Sequence, residues 1–555
     1  MKRLIFYSLF ILIMTWLVYY FGQPVLKYGF YALPFWIFFV STILFGVELS
    51  FSLKHKNYVL TSIFGGIAGI ALLCFTFIPL FTTWAMFHSE KHQNLIGEVK
   101  IGKSFTEQVA PISTEKIRIV DEAMAYRLGD KVLGAQPSLG SQVDLGKFNI
   151  QKVGDKLYWV APLLHSGYFK WKKNKSGTPG YVLVSATNER DVKLIQNTNG
   201  KEVRIKYQPN AYFSDNLQRH IYKNGYMKQG FTDFTFEIND QGSPYWVVTL
   251  YKKEIGFGGR NASGVITVDA ASGEIKEYSI DKAPAWIDRI QPEDFIVSQL
   301  NSWGEYVKGF WNFSNEQKLT TTKGISLVYG ENNRSYWYTG LTSVGADEGT
   351  VGFVLVDTRT KETVWYKQVG ATEKAARQSA MGKVQEKGYI ASFPITYNIN
   401  GIPTYVMSLK DQAGLVKMIA MVGIEDYTIV GAGTTMKETL RAYKNAYNSK
   451  GNAIAPDSMM ETFSIETTVE RISQDIRNGN TFYYLLLKDY EDKIFIGSSQ
   501  ISGELPITRA KDKVKVIYDD GSNEQVDIIS FDNVDIQLRK SDAQKRVEKH
   551  FQAKK

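Results

Sequence analysis

Three apolar runs open the chain, residues 4–21, 30–49 and 59–86, and beyond them apolar and polar positions start to alternate. Each run reaches the roughly 20 residues that cross a bilayer as a helix. The later alternation has a period of two, as in strands with two differently packed faces. It is clearest over residues 243–280, where Val265, Thr267 and Asp269 fall on one face and Ile266, Val268 and Ala270 on the other. The same pattern starts at Tyr158, Tyr245, Tyr336 and, more eroded, at Tyr405, at spacings of roughly 70 to 90 residues, too long for a short solenoid repeat. Each copy runs from an aromatic-rich strand through a polar loop to a second apolar strand. A tight turn (Asp269 to Gly273, Asp357 to Lys361) then leads to a third strand. Each unit reads as an antiparallel meander.

Helical patterns precede the meanders. Residues 113–133 open on a Ser/Thr cap with Glu115 in the first turn and stop at Gly134. Residues 214–222 and 291–306 serve the next two copies, and 372–387 closes at Gly388. A helix followed by strands ending in V-x-V-D-x-x-[ST]-G-E, carried here by Val265 to Glu274 and more loosely by Val354 to Glu362, resembles the PepSY module. The resemblance covers the four repeats and implies an α+β unit outside the cytoplasm, acting in protein or peptidase regulation rather than catalysis. The first copy departs from it, with Ser185-Ala-Thr-Asn188 lacking the acid, and the fourth shifts it to Glu425.

The predicted fold class is α+β: three N-terminal transmembrane helices, tandem PepSY-like helix-plus-antiparallel-meander repeats and a small C-terminal OB- or SH3-like β-barrel. The divisions are a membrane anchor (1–88), repeats over 89–212, 213–285, 286–370 and 371–449, a linker (450–461), the barrel (462–538) and a basic tail (539–555). The barrel rests on five short strands, at 466–472, 481–487, 493–497, 513–518 and 525–529, with a hairpin turn over 519–522. Residues 88–108 read as a polar stalk or first strand.

Basic residues orient the spans. Lys2 and Arg3 precede the first, and Lys54, His55 and Lys56 lie between the second and third, against Lys27 alone in the other loop. This bias puts the N-terminus in the cytoplasm and everything after about Met86 outside. Glu48, near a span end, is expected to reach water. Gly65, Gly66 and Gly69 give the third span a small-residue face suited to helix packing within or between chains.

Composition narrows the class further. The net charge is +9, and the first 88 residues hold five Lys or Arg against Glu48 alone, so the remainder is only mildly basic. A nucleic-acid binder would show a denser stripe. The single cysteine, Cys74, lies in the third apolar run, so the soluble part forms no disulfide. That fits a bacterial extracytoplasmic domain of the kind that does without them. The six histidines are scattered without metal spacing, and neither metal nor cofactor is expected.

Two stretches carry candidate chemistry. In the first copy, His165, Phe169 and Trp171 sit in a Lys-rich segment, where a basic, aromatic loop would grip a glycan or peptide. Plain alternation instead makes them an ordinary strand, with Phe169 and Trp171 turned into the core. Residues 285–313 hold Trp286, Trp303 and Trp311 beside Asp288, Glu293, Asp294 and Glu305. Paired carboxylates near aromatic platforms are what a glycosidase needs, but a helix start at Pro292-Glu293-Asp294 explains the acids more simply. In the barrel, Tyr483, Tyr484, Arg509 and Lys511 would make a stacking platform, with one tyrosine expected in the core.

The sequence thus reads as a membrane-anchored extracytoplasmic binding, scaffolding or regulatory protein of the cell envelope. Its partners are the bilayer and an envelope protein or wall polymer. The alternatives are an envelope enzyme acting on glycan or peptide and, with inverted topology, a cytoplasmic nucleic-acid binder.

Overall fold

The computed structural model describes residues 2–103, 105, 109, 112, 116–329, 334–345, 349–399, 401–450, 462–477, 480–499, 501–519 and 524–536. The linker beyond residue 450, the barrel's turn at 520–522 and the basic tail lie outside them. The chain divides into two compact units, one of residues 1–103, 118–374 and 414–416, the other of residues 104–117, 375–413 and 417–555.

In the first unit, three helices are long and apolar enough to cross a membrane: Ile5–Gly22, Ala32–His55 and Val59–Thr83. Gly65 lies where an added Cβ would come within 3.0 Å of the Phe45 ring, so it lets the second and third spans approach; Gly66 and Gly69 face open space. Glu48 does not reach water. It is buried, accepts a hydrogen bond from the Tyr7 hydroxyl of the first helix and has Arg3 at 3.7 Å. One helical turn on, the Ser52 and Thr61 hydroxyls bond at 2.6 Å. Pairing these polar groups inside the bundle spares each the cost of exposure to lipid. The stretch read as a stalk is a helix, Ala85–Gln93, followed by a strand, Val99–Gly102.

Three repeats follow in the same unit, each a helix and a largely antiparallel sheet; strand Val99–Gly102 joins the third sheet in parallel beside Thr363–Tyr366. The helices are Glu122–Gly134, Leu217–Lys223 and Glu293–Glu305. The first starts nine residues later than its sequence suggests. Its cap is Asp121, whose carboxylate accepts from the Met124 N–H at 3.0 Å. The β-branched pair Ile119-Val120 is held outside the helix because both N–H groups donate to Ala186 O.

The sheets share one register. Strands Lys156–His165 and Tyr181–Ser185 pair Tyr158 with Ser185. Pro244–Ile255 and Gly258–Asp269 pair Tyr245 with Asp269, and Ser335–Ser343 and Gly352–Asp357 pair Tyr336 with Asp357. At that place Asp269 Oδ1 accepts from the N–H groups of Ala271 and Ser272, and Asp357 Oδ1 from those of Arg359 and Thr360. Ser185 does the same work with its hydroxyl, accepting from Thr187 and Asn188. The first copy lacks the acid but keeps the turn, because a Ser oxygen caps two N–H groups as an Asx turn does.

The second repeat's hairpin reaches the span ends. Gly256 at its tip has φ +54, and an added Cβ would meet Thr82 O at 2.5 Å. The Phe257 N–H donates to Thr83 Oγ1 at 2.8 Å, and its ring packs against Tyr28 and Tyr31. Leu26 N–H donates to Met227 O and Tyr222 O–H to Pro24 O, both at 2.8 Å. The second repeat therefore shares a side of the spans with the loop that joins the first and second.

In the second unit, strands Ile395–Ile399, Ile402–Lys410, Val416–Gly423 and Val430–Gly433 build the fourth antiparallel sheet, which helix Met436–Ser449 follows. The turn acid here is Asp426, which accepts from the Thr428 N–H at 2.9 Å. Strands Thr462–Arg477, Asn480–Leu487, Ile494–Ser498, Lys513–Asp519 and Gln525–Asn533 then close a barrel around Leu485, Phe495, Val516 and Phe531. Arg441 of the helix pairs with Asp527 of the barrel at 2.7 Å.

Candidate binding cleft and a buried carboxylate junction

The first repeat's long strand ends at His165, and the chain turns at Gly167, φ +93, into a short helix, Tyr168–Lys173. The segment is thus neither the expected strand nor an irregular loop. Helical spacing separates its rings: Trp171 is buried, and its indole N–H donates to Asp215 at 3.1 Å. Phe169 stands 80% exposed. Trp171 is consequently a structural pin and has no free face on which a ligand could stack.

His165 lines a cleft of about 280 Å³ with Gln142, Lys170, Asn174, Thr178 and Gln196. Gln208 fixes it. This buried side chain accepts from the His165 N–H at 2.7 Å and donates to Thr178 Oγ1 and Ile205 O. Burial lowers the His165 pKa, against a smaller opposing pull from Asp215, which favours the neutral ring near neutral pH. His165 itself is buried, so the cleft presents one ammonium and several amides over it, a set that suits a hydroxyl-rich or anionic ligand.

The other predicted ligand residues lie elsewhere. Trp286 packs on Tyr245 with ring centroids 5.2 Å apart, and Trp303 meets Trp365 edge to face at 5.6 Å. Tyr483 is the tyrosine buried in the barrel core, whereas Arg509 is exposed, so the two make no stacking platform. Glu293 and Glu305 begin and end one helix of 13 residues. That puts them about 18 Å apart at 1.5 Å per residue, beyond the reach of paired acid and base on one glycosidic bond. Glu305 also pairs with the buried Lys318 at 2.7 Å.

Asp288 belongs to a constellation that alternation conceals. Its Oδ2 accepts from the Lys152 N–H at 2.8 Å and the Tyr329 hydroxyl at 3.0 Å, while its N–H donates to Glu237 Oε2 at 3.4 Å. The Thr235 hydroxyl donates to Glu237 Oε1 at 3.0 Å. Gln151 bonds both the N–H and the carbonyl of Ile238. Arg289 stands near Asp233 and lies over the Trp337 ring. Strands of the first, second and third repeats meet in this one buried polar knot. Burial, reinforced by the neighbouring Asp288 carboxylate, pushes the Glu237 pKa up to about 8, and burial raises Asp288 to about 6. Tyr329 is raised well above its ordinary value by burial and by Asp288. The sequence signal was Glu237 itself, a charge between two core residues in Phe236-Glu237-Ile238.

No protein-family model matches the chain, and no curated protein matches it. Among solved structures, the chain is similar to the GH32 beta-fructofuranosidase of Bombyx mori in two forms. A mutant in complex with sucrose shows 7% identity over 74% of this chain and 70% of that one, with a TM-score of 0.18. The other structure shows 8% over 76% and 72%, with a TM-score of 0.16.

Proposed function

We propose that the chain is a membrane-anchored, extracytoplasmic binding and scaffolding protein of the cell envelope, built from tandem PepSY-like modules with a terminal barrel. The observation that carries the reading is what recurs. In each of the first three repeats a Trp indole, a turn-capping Asp or Ser and a pair of N–H groups before the helix are all spent on backbone hydrogen bonds. Recurrence of architecture rather than of a reactive group suits an array that presents surfaces. The buried junction at Asp288 clasps the three modules together. The ligand class the His165 cleft favours is a wall polymer or an envelope peptide carrying hydroxyls or acids. The basic residues flanking the spans support the side: the second repeat shares the face of the Lys27 loop, opposite Lys2, Arg3, Lys54 and Lys56.

Two measurements test this. In a Cys74→Ser background, Asn197→Cys should react with an impermeant maleimide on intact cells; reaction only after lysis would overturn the assigned side. Purified chain in nanodiscs should retain soluble wall-polymer fragments or acidic envelope peptides, and His165→Ala with Lys170→Ala should weaken that retention. Equal retention by the double variant would remove the cleft from the proposal.

A further inference from the structure

Two exposed aromatic groups of the first unit stand beside the span ends. At the end of the third span, the Trp84 ring meets Phe310 at 5.9 Å. Phe310 in turn contacts Trp311 at 5.3 Å and Phe313 at 6.3 Å. Trp311 is 64% and Phe313 71% exposed. The loop that carries them is braced: the Asn312 amide donates to Glu316 O at 2.8 Å, and its Oδ1 accepts from the Ser314 hydroxyl and the Glu316 N–H. The rings are displayed by a fixed loop, which keeps large apolar surface in view when the chain had the option of folding it away. At the end of the first span, Arg219 donates to Tyr20 O at 3.3 Å and to Phe213 O at 2.7 Å, and its guanidinium lies 4.2 Å from the centre of the Tyr20 ring. Phe213 is 54% exposed and has φ +53, a strained backbone for a bulky residue.

We infer that Trp311 and Phe313, with Phe213 at the end of the first span, insert into the headgroup–acyl boundary of the membrane that holds the spans and seat the first unit on the bilayer. Trp84 and Tyr20 are aromatic residues at span ends, where such rings settle at the interface. Rings in direct or near contact with them stand at the same depth. The apolar area of Trp and Phe is stabilised there, and the Trp indole N–H keeps a polar partner. Two seats, one at the end of the first span and one at the end of the third, would resist tilting of the first unit.

The test uses the full chain in nanodiscs of mixed zwitterionic and anionic lipid, in a Cys74→Ser background. Single cysteines at Trp311, Phe313 and Phe213 carry an environment-sensitive fluorophore, and Val369→Cys, 78% exposed, is the aqueous control. Expected are blue-shifted emission, strong quenching by lipids bearing a nitroxide high on the acyl chain, and several-fold weaker quenching by iodide than at Val369. Iodide quenching at Trp311 and Phe313 equal to that at Val369 overturns the inference. Because these side chains are exposed, replacing them should leave the melting temperature near that of the parent. Trp311→Phe gives a label-free second readout: it should remove part of the intrinsic fluorescence quenched by brominated lipid, and an unchanged quenched fraction also overturns the inference.

Discussion

The indole N–H of Trp246 donates to the carbonyl of Tyr207 at 2.7 Å. Tyr207 is one of two residues whose N–H groups bond Ala270 O, one step past the turn-capping Asp269. A single tryptophan thereby ties the sheet to the segment leading into the helix. The tie recurs as Trp159 on Val120 and Trp337 on Gln291, each at 2.8 Å.

Trp337→Phe should therefore cost more than its lost area suggests. The ring's apolar contacts are largely kept, but the Gln291 carbonyl loses a buried donor. An unsatisfied buried acceptor costs about 1–3 kcal/mol. Chemical denaturation of the detergent-solubilised chain should show a lower midpoint for Trp337→Phe and for Trp246→Phe. Midpoints unchanged in both would mean that water replaces the indole.

The buried carboxyls predict an inverted pH dependence. Glu237 is raised from 4.5 to about 8 in the folded chain, so the folded state holds a proton that the unfolded state has released between those values. Stability is then full below about pH 4.5 and falls as pH rises towards 8, with a total loss of a few kcal/mol. Glu237→Gln fixes the uncharged form. Its melting temperature should vary less between pH 5 and 8 than that of the parent, and should exceed it at pH 8. A parent curve that rises over this window would sink the assignment.

Alternation and span length were enough to read the spans, the meanders and the barrel, because each rests on local periodicity. The junction escaped because its members, Gln151, Glu237, Asp288 and Tyr329, are far apart in sequence and meet only when three sheets pack. The different fates of Trp171 and Phe169 were hidden for a local reason. Their segment forms a six-residue helix after the left-handed Gly167, and helical spacing buries one ring while exposing the other. Glu48 was misjudged because the partner that buries it, Tyr7, belongs to another helix.

Within the spans, Tyr7→Phe leaves Glu48 without its hydroxyl donor but keeps Arg3 nearby. Interhelical hydrogen bonds in membranes contribute on the order of 0.6 kcal/mol each, so a small drop in detergent resistance is expected. Glu48→Gln keeps an acceptor for Tyr7 and should be milder than Tyr7→Phe combined with Ser52→Ala. Equal behaviour of the two would show that the bundle is held by apolar packing alone.

The hairpin tip at Gly256 allows the contact between repeats and spans to be separated from backbone strain. Gly256 and Gly154 are both left-handed, at φ +54 and +61. Alanine at either position pays about 1–2 kcal/mol for that conformation. At Gly154 the new methyl meets nothing within 4 Å, whereas at Gly256 it falls 2.5 Å from Thr82 O and 2.7 Å from Thr83 Oγ1. Overpacking of that kind adds roughly 1–3 kcal/mol unless the hairpin lifts away. Gly256→Ala should accordingly destabilise the chain more than Gly154→Ala, and should loosen Phe257 from Tyr28 and Tyr31. Limited proteolysis near residue 257 reads the loosening directly. If both variants melt alike and both hairpins resist protease, the tip does not bear on the third span, and the repeat is held to the spans by its other contacts, those of Leu26, Tyr222 and Arg219 among them.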